Sequence, residues 1–305
     1  MNTMTKLILP AALISLLALS GCGKKGGGDK VVAASFYPMY IAALNVAENA
    51  PGVRVAVVAA AIYGCAHDYQ LTPADAAVME TASALVINGG GIEAFLDKAA
   101  ASNKKLAVID ASAGIDFCLS HGDSGHDHSR ERHDGIAANT HVWMSIDNHI
   151  IQIGNIAKGL AAWDGANAEI YNENARRYIA ELTQLRESAR RELSGAAGQK
   201  IALSHDGFLY LAREFGLTVS VIIENEHGVE PGAADVISAI ATIRNERPKA
   251  LFVENSRRPP AIKTISDETG LPVFDLDMAA SGLYKKDAYL SAMKKNVATL
   301  KKALD

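Results

Sequence analysis

Short β-branched runs alternate with helical patterns along nearly the whole chain, and one long uninterrupted helix breaks the alternation. Strands separated by helices cannot pair through tight turns, so the pattern demands parallel sheets with crossover helices, an α/β fold. Residues 31–36 read as a first strand, 38–48 as its helix and 53–59 as a second strand. Thr72, Pro73 and Asp75 mark a helix start: a capping hydroxyl, a proline suited to the first helical position, and a carboxylate that favours the positive end of the dipole. Strands at 84–88 and 105–109, separated by a helix at 91–101, bring the tally to four strand–helix units before His141.

The interrupting helix covers 167–193. Ile170, Tyr171, Ala175, Tyr178, Ile179, Leu182, Leu185 and Ala189 recur at intervals that keep them on one face, and charged residues cover the rest. Neither glycine nor proline enters it until Gly195, which reads as its C-cap. At 1.5 Å per residue it runs about 40 Å, too long for an ordinary crossover. It reads as a rigid strut joining two domains. Strands at 200–203, 218–223, 250–254 and 272–276 follow, with helices at 207–214, 232–247, 260–269 and 287–304. The second half repeats the architecture of the first without a visible sequence repeat.

Three histidines stand just past apolar, strand-like runs: His67 in Cys65-Ala66-His67-Asp68-Tyr69, His141 in Asn139-Thr140-His141-Val142-Trp143, and His205 in Ser204-His205-Asp206-Gly207-Phe208. Their separations are far too long for a zinc finger, so only the tertiary fold can bring them together, at the loop ends of a sheet where α/β proteins build ligand sites. One histidine beside a strand is ordinarily a hydrogen-bonded core residue; three at equivalent places point to a metal. Asp68 and Asp206 are candidates to hold the second ring nitrogen. A tetrahedral ion with three imidazoles leaves one position, and a carboxylate there cancels part of the charge. Asp277, ending the last strand, reaches the same cleft, whereas Asp275 lies one pleat further back. Glu254 ends another strand and reads as support within the cleft rather than as a ligand. Glu230, beside Pro231, reads as structural or lobe-closing, and His227 as surface.

Between the first two histidines lies a nearly apolar-free stretch with His121, His126, His128 and His133. It cannot pack, and it is either a solvated linker or a weak, mobile secondary metal site.

The amino terminus is a targeting segment. Lys6 precedes an apolar run at 7–19 that is too short to span a bilayer, and the run ends in Leu19-Ser20-Gly21-Cys22, which resembles the bacterial lipobox, where the cysteine is lipidated. Residues 23–30 have the composition of a flexible tether. The expected organisation is therefore a signal at 1–22, a tether at 23–30, a first lobe at 31–165 with a histidine-rich loop at 119–138, a linker helix at 166–195 and a second lobe at 196–305. The formal net charge of −4 gives no hint of nucleic acid. Outside the lipobox only Cys65 and Cys118 remain, and an exported even pair invites a disulfide; two buried thiols, or Cys65 as a metal ligand, are the alternatives.

In this order the motifs resemble the cluster A-I solute-binding proteins, the metal-binding lipoproteins of bacterial ABC importers. Val32-Ala33-Ala34-Ser35-Phe36-Tyr37-Pro38 is similar to that family's opening strand, and His67-Asp68-Tyr69 with Thr72-Pro73-Ala74-Asp75 to its first ligand loop. His141-Val142-Trp143 resembles the second ligand motif and His205-Asp206-Gly207-Phe208-Leu209-Tyr210 the third, Asp277 falls on the fourth position, and Tyr289 to Asn296 resembles the closing helix. The resemblance implies two (β/α)4 lobes joined by a long rigid helix, with the metal held in the interlobe cleft by His67, His141, His205 and Asp277. It also implies delivery to an ABC permease rather than catalysis, attachment to the membrane through a lipid anchor on the cell surface or in the periplasm, and a monomer that takes a metallochaperone as a further partner.

Manganese binders of the family carry glutamate at the third ligand, so His205 favours Zn2+ over Mn2+, in line with the preference of manganese for carboxylate oxygen. The chain departs from the family in having Cys65-Ala66 instead of an acid and proline before His67, and Met144-Ser145-Ile146-Asp147 instead of Leu-Asp-Pro after Trp143. Loss of that proline makes a compensating bridge from Cys65 to Cys118 more plausible. The competing readings are manganese transport, an adhesin of the same fold, and a zinc hydrolase using a base such as Glu254; the presence of Asp277 to close the coordination sphere argues against the last. Deletion of residues 122–133 is expected to leave one tight metal site, checked by titration of the deletion variant; a large loss of primary affinity would place the loop in the site itself.

Overall fold

Strands that are apolar throughout belong in the middle of a parallel sheet covered on both faces. β1 (Lys30–Ala34) meets that description: after its first residue every side chain is buried. It lies between β2 (Val53–Val57) and β3 (Ala82–Ile87), and β4 (Ala107–Asp110) completes a parallel sheet in the order β2-β1-β3-β4. α1 (Tyr37–Val46), α2 (Pro73–Thr81) and α3 (Asp97–Ser102) connect these strands. Thr72 caps α2 as its sequence predicts: its hydroxyl accepts from the Asp75 amide while the Asp75 carboxylate accepts from the Thr72 amide at 2.7 Å.

The computed structural model describes residues 29–60, 69–120, 137–224, 231–254 and 258–305. The signal segment with Cys22, most of the tether, His67 with Cys65 and Asp68, the loop histidines His121, His126, His128 and His133, and His227 with Glu230 lie outside the described residues.

After β4 come two short antiparallel strands, β5 (Leu119–Ser120) and β6 (Ala137–Ala138), then α4 (Ile146–Trp163) and α5 (Ala168–Glu192). The second half contains β7 (Lys200–Leu203), α6 (Leu209–Glu214), β8 (Thr218–Ile222), α7 (Ala233–Glu246), β9 (Leu251–Glu254), α8 (Pro260–Thr269), β10 (Val273–Leu276) and α9 (Ala288–Leu304). Its sheet, β10-β9-β7-β8, is again parallel. The α/β class and the two parallel four-stranded sheets agree with the sequence reading.

Two points depart from it. The fourth helix of the first half does not precede His141 but follows it, as α4. Its apolar face (Ile146, Ile153, Ile156, Ala157, Leu160) is regular, but Gly154 and Gly159 obscure it. Gly159 is there for close packing: a Cβ would lie 2.5 Å from Cγ2 of Ile109 on β4. The long helix also ends earlier, at Glu192, with Leu193 rather than Gly195 as its cap.

The chain crosses between the halves without a break in its apolar interior. One buried cluster contains Val32 and Val86 of the first sheet, Tyr171, Tyr178, Leu182 and Leu185 of α5, and Leu203, Phe252 and Leu276 of the second sheet. α5 is about 37 Å long and packs along α4, α1 and α9. Its foot is fixed by Asp164, which accepts from Lys30 (2.6 Å), Asn167 (2.6 Å) and Tyr171 (2.9 Å). Near its other end Arg186 and Arg190 hold Asp147 at the start of α4 (2.7 and 2.5 Å).

His149 of α4 sits fully buried in this seam, stacked on Tyr289 of α9 with ring centroids 3.9 Å apart. Burial holds its pKa down to about 4, against a partial opposing effect of the Gln152 amide oxygen 3.1 Å from Nδ1. A histidine whose folded pKa is depressed stabilises the fold fully above about 6.5 and loses that contribution as pH falls towards about 4. The difference corresponds to about 3 kcal/mol. Chemical denaturation of wild type and His149→Phe between pH 7 and 4 is expected to show wild type losing about 3 kcal/mol more than the variant. Parallel pH profiles would contradict this assignment.

Candidate metal centre

His141 and His205 come from different halves of the chain and meet edge to face, their ring centroids 5.1 Å apart and their planes at 89°. Both are buried. His141 follows β6 and opens the 3-10 turn Val142–Met144; His205 follows β7 and opens the 3-10 turn Asp206–Phe208. His205 is delivered from the carboxyl end of a parallel strand, as expected for an α/β site, whereas His141 comes from the loop that follows the short antiparallel pair.

The two rings are held by different means. The Asn139 amide oxygen accepts from the His141 backbone N–H at 2.9 Å and lies 3.0 Å from His141 Nδ1. His205 Nδ1 accepts the Gly207 N–H at 2.8 Å, with Asp206 Oδ1 at 3.4 Å. Asp206 therefore stands beside its histidine as anticipated, but the amide of Gly207 is the nearer partner. Asn139 was not anticipated, although its place two residues before a candidate ligand is the signal that would have found it.

Apolar and aromatic groups wall the crevice. Trp143, buried, lies 5.2 Å from the His141 ring and packs edge-on against Phe36 at 5.3 Å, and its indole N–H donates to the Met278 carbonyl at 2.9 Å. Gly207 leaves little room for a side chain: a Cβ would stand 2.7 Å from Met278 Cε and 2.9 Å from His205 Nδ1, so one of these would have to shift. Asp277, half-buried at the end of β10, is thus one residue from a side chain that touches the His205 turn. Its backbone N–H donates to Asn296 at 2.7 Å, and its Oδ1 accepts from Ala279 at 2.9 Å. Asp275 points away from the crevice, exposed and paired with Arg258 at 2.6 Å. Glu254, half-buried, ends β9. Among the described residues no three His, Cys, Asp or Glu side chains form a group able to hold a metal; His67 lies outside them.

A polar layer supports His141 from below. Asn88 at the end of β3 donates to the Thr140 carbonyl at 2.9 Å and accepts from Gln152 at 2.9 Å. Beside it the buried Glu93 carboxylate accepts from Ser35 (2.9 Å), the Asn88 N–H (2.5 Å) and the Gly89 N–H (3.1 Å). Burial outweighs these bonds and raises its pKa to about 7. Gly90, at φ +71, closes this turn where a Cβ would lie 2.5 Å from the Phe117 ring.

Both flanks of the crevice tie one half to the other. On one side Tyr210 donates to the Asn139 carbonyl (2.7 Å) and receives the Cys118 N–H (2.9 Å), while Arg213 pairs with Asp116 (2.8 Å). Cys118 is half-buried, with an Arg213 nitrogen 3.5 Å from its sulfur. Cys65, its expected disulfide partner, lies outside the described residues. On the other side Tyr37 donates to the Leu283 carbonyl (2.7 Å), Tyr284 packs on Tyr37 and Tyr40 (5.5 and 5.2 Å), and Lys286 pairs with Glu48.

Residues 32–303 match the sequence profile of the family described as "ZnuA: Zinc-uptake complex component A periplasmic". The iron ABC transporter substrate-binding lipoprotein MtsA of Streptococcus pyogenes serotype M1 is 30% identical over 253 residues, covering 78% of each chain. The high-affinity zinc uptake system protein ZnuA of Bacillus subtilis (strain 168) is 27% identical over 318 residues, covering 97% of this chain and 96% of its own. The structure of the binding protein FpvC from Pseudomonas aeruginosa in complex with Mn2+ superimposes with a TM-score of 0.79 at 27% identity, covering 90% of this chain and 98% of that one. These relatives are binding components of transporters, which removes the hydrolase reading. With a profile match over nearly all of its described length, the chain belongs to the ZnuA family of metal-binding, substrate-binding proteins of ABC transporters, and it is not an enzyme.

Proposed function

We propose that this protein captures Zn2+ outside the cytoplasm and hands it to an ABC permease, held at the membrane surface by lipid on Cys22. The ion's donors are His67, His141, His205 and Asp277. The observation that carries this reading is the meeting of His141 and His205 from opposite halves of the chain, 5.1 Å apart in a buried crevice. Two neutral imidazoles this close offer a borderline-soft nitrogen pair, and His67 would add a third, a donor set suited to zinc and poorly suited to manganese. Asp277, at the end of β10, stands one residue before Met278, whose side chain lies against the His205 turn, and its carboxylate accepts from the Ala279 N–H. With four donors the sphere is closed and leaves no position for an activated water. His121, His126, His128 and His133 form, on this reading, a weak secondary site that raises the local zinc concentration.

The relatives bear the names of different metals, so metal identity is the point to test. Elemental analysis of tag-free protein, followed by competition titration with Zn2+ and Mn2+, is expected to give one tightly held zinc and weaker manganese. His205→Ala is expected to weaken zinc by more than the roughly 10–100-fold that loss of an outer-shell partner costs. Tighter binding of Mn2+ than of Zn2+, or an affinity indifferent to His205→Ala, would refute the proposal.

A further inference from the structure

Asn139 is almost wholly buried and spends all four of its polar atoms at the junction between the two halves. Its N–H donates to the Cys118 carbonyl at 2.8 Å, and its own carbonyl accepts from Tyr210 at 2.7 Å. Its side-chain oxygen faces both the backbone N–H and Nδ1 of His141, and its side-chain nitrogen donates to the Asp206 carbonyl at 2.8 Å. The orientation of the amide is not arbitrary. A backbone N–H can only donate and a carbonyl can only accept, so exchanging oxygen and nitrogen would break both bonds at once.

That orientation determines the state of His141. An imidazole nitrogen held against an amide oxygen must carry the proton, so the neutral ring keeps its lone pair on Nε2. The same amide reaches across to Asp206, the residue next to His205. A single side chain therefore sets the tautomer of one ring and ties its position to the turn bearing the other.

We infer that Asn139 is a positioning residue for metal capture: it presets His141 to ligate through Nε2 and couples that ring across the crevice to the His205 turn. This rests on the reading of His141 and His205 as ligands. Its first test needs no metal. Long-range 1H–15N correlation spectra of the imidazoles in metal-free protein at pH 8 are expected to show His141 as the Nδ1–H tautomer in wild type, and a mixture in Asn139→Ala. The second test is zinc competition. Asn139→Ala is expected to lose about 10–100-fold in affinity. Asn139→Asp, which keeps an oxygen against Nδ1 but loses the donor to the Asp206 carbonyl, is expected to keep the Nδ1–H tautomer of His141 while recovering only part of the lost affinity.

An Nε2–H tautomer for His141 in wild type would overturn the inference, as would Asn139→Ala binding zinc within about threefold of wild type, or Asn139→Asp showing the same tautomer mixture as Asn139→Ala. Asn139→Ser serves if the alanine variant fails to fold by circular dichroism. His141→Ala separates the two levels of the argument: if it leaves zinc affinity unchanged, the ligand assignment itself has failed, whatever Asn139 does.

Discussion

One apolar seam shared by both halves governs everything else in this molecule. α4, α5 and α9 run side by side through it, and the buried cluster they form takes in side chains from both sheets. A hinge would have to tear open that seam, exposing Tyr171, Tyr178, Leu182 and Tyr289 together. Each large side chain brought from burial to water costs about 1.5–3 kcal/mol, so wide opening is prohibitive and the crevice keeps nearly constant dimensions. At the rim, the segment from Ala279 to Asp287 meets the first half through Tyr37, Tyr40 and Glu48.

Inside that fixed crevice the two described imidazoles are unequal. His141 stands with Nδ1 against an amide oxygen and its lone pair on Nε2, whereas His205 uses its Nδ1 lone pair to cap a turn, which places its proton on Nε2. For His205 to donate through either nitrogen, the bond from Gly207 must be given up. The cost is that of a single hydrogen bond, about 0.5–1.5 kcal/mol, small beside a metal–nitrogen bond. If both rings hold the proposed ion, capture combines a ring already set with one that must turn.

How much of this was legible in the sequence follows from the range of each interaction. Strands and helices dictated by local pattern were readable: α8 falls on its expected residues, α7 is shorter than expected by one residue at each end, and α9 by one at its start. α4 was obscured because Gly159 answers to Ile109, fifty residues away, rather than to the helix. His141 and His205 stood out from their similar local motifs, and the structure brings these two together; His67 lies outside the described residues. Only the local half of Asn139's role, its place two residues before His141, was open to reading; its partners at Cys118, Asp206 and Tyr210 are not revealed by any local pattern.

Glu214 ends α6 in the second half, yet its carboxylate receives the Ile146 N–H at 2.6 Å, the first amide of α4 in the first half. Burial, acting against that bond, lifts its pKa to about 7. A helix of one half is thus finished by an acid borrowed from the other. The halves resemble modules, but they are not separable ones. A hybrid assembled by grafting one half onto a distant relative would inherit an open helix end and an unmatched carboxyl, however faithfully the coordinating side chains were copied.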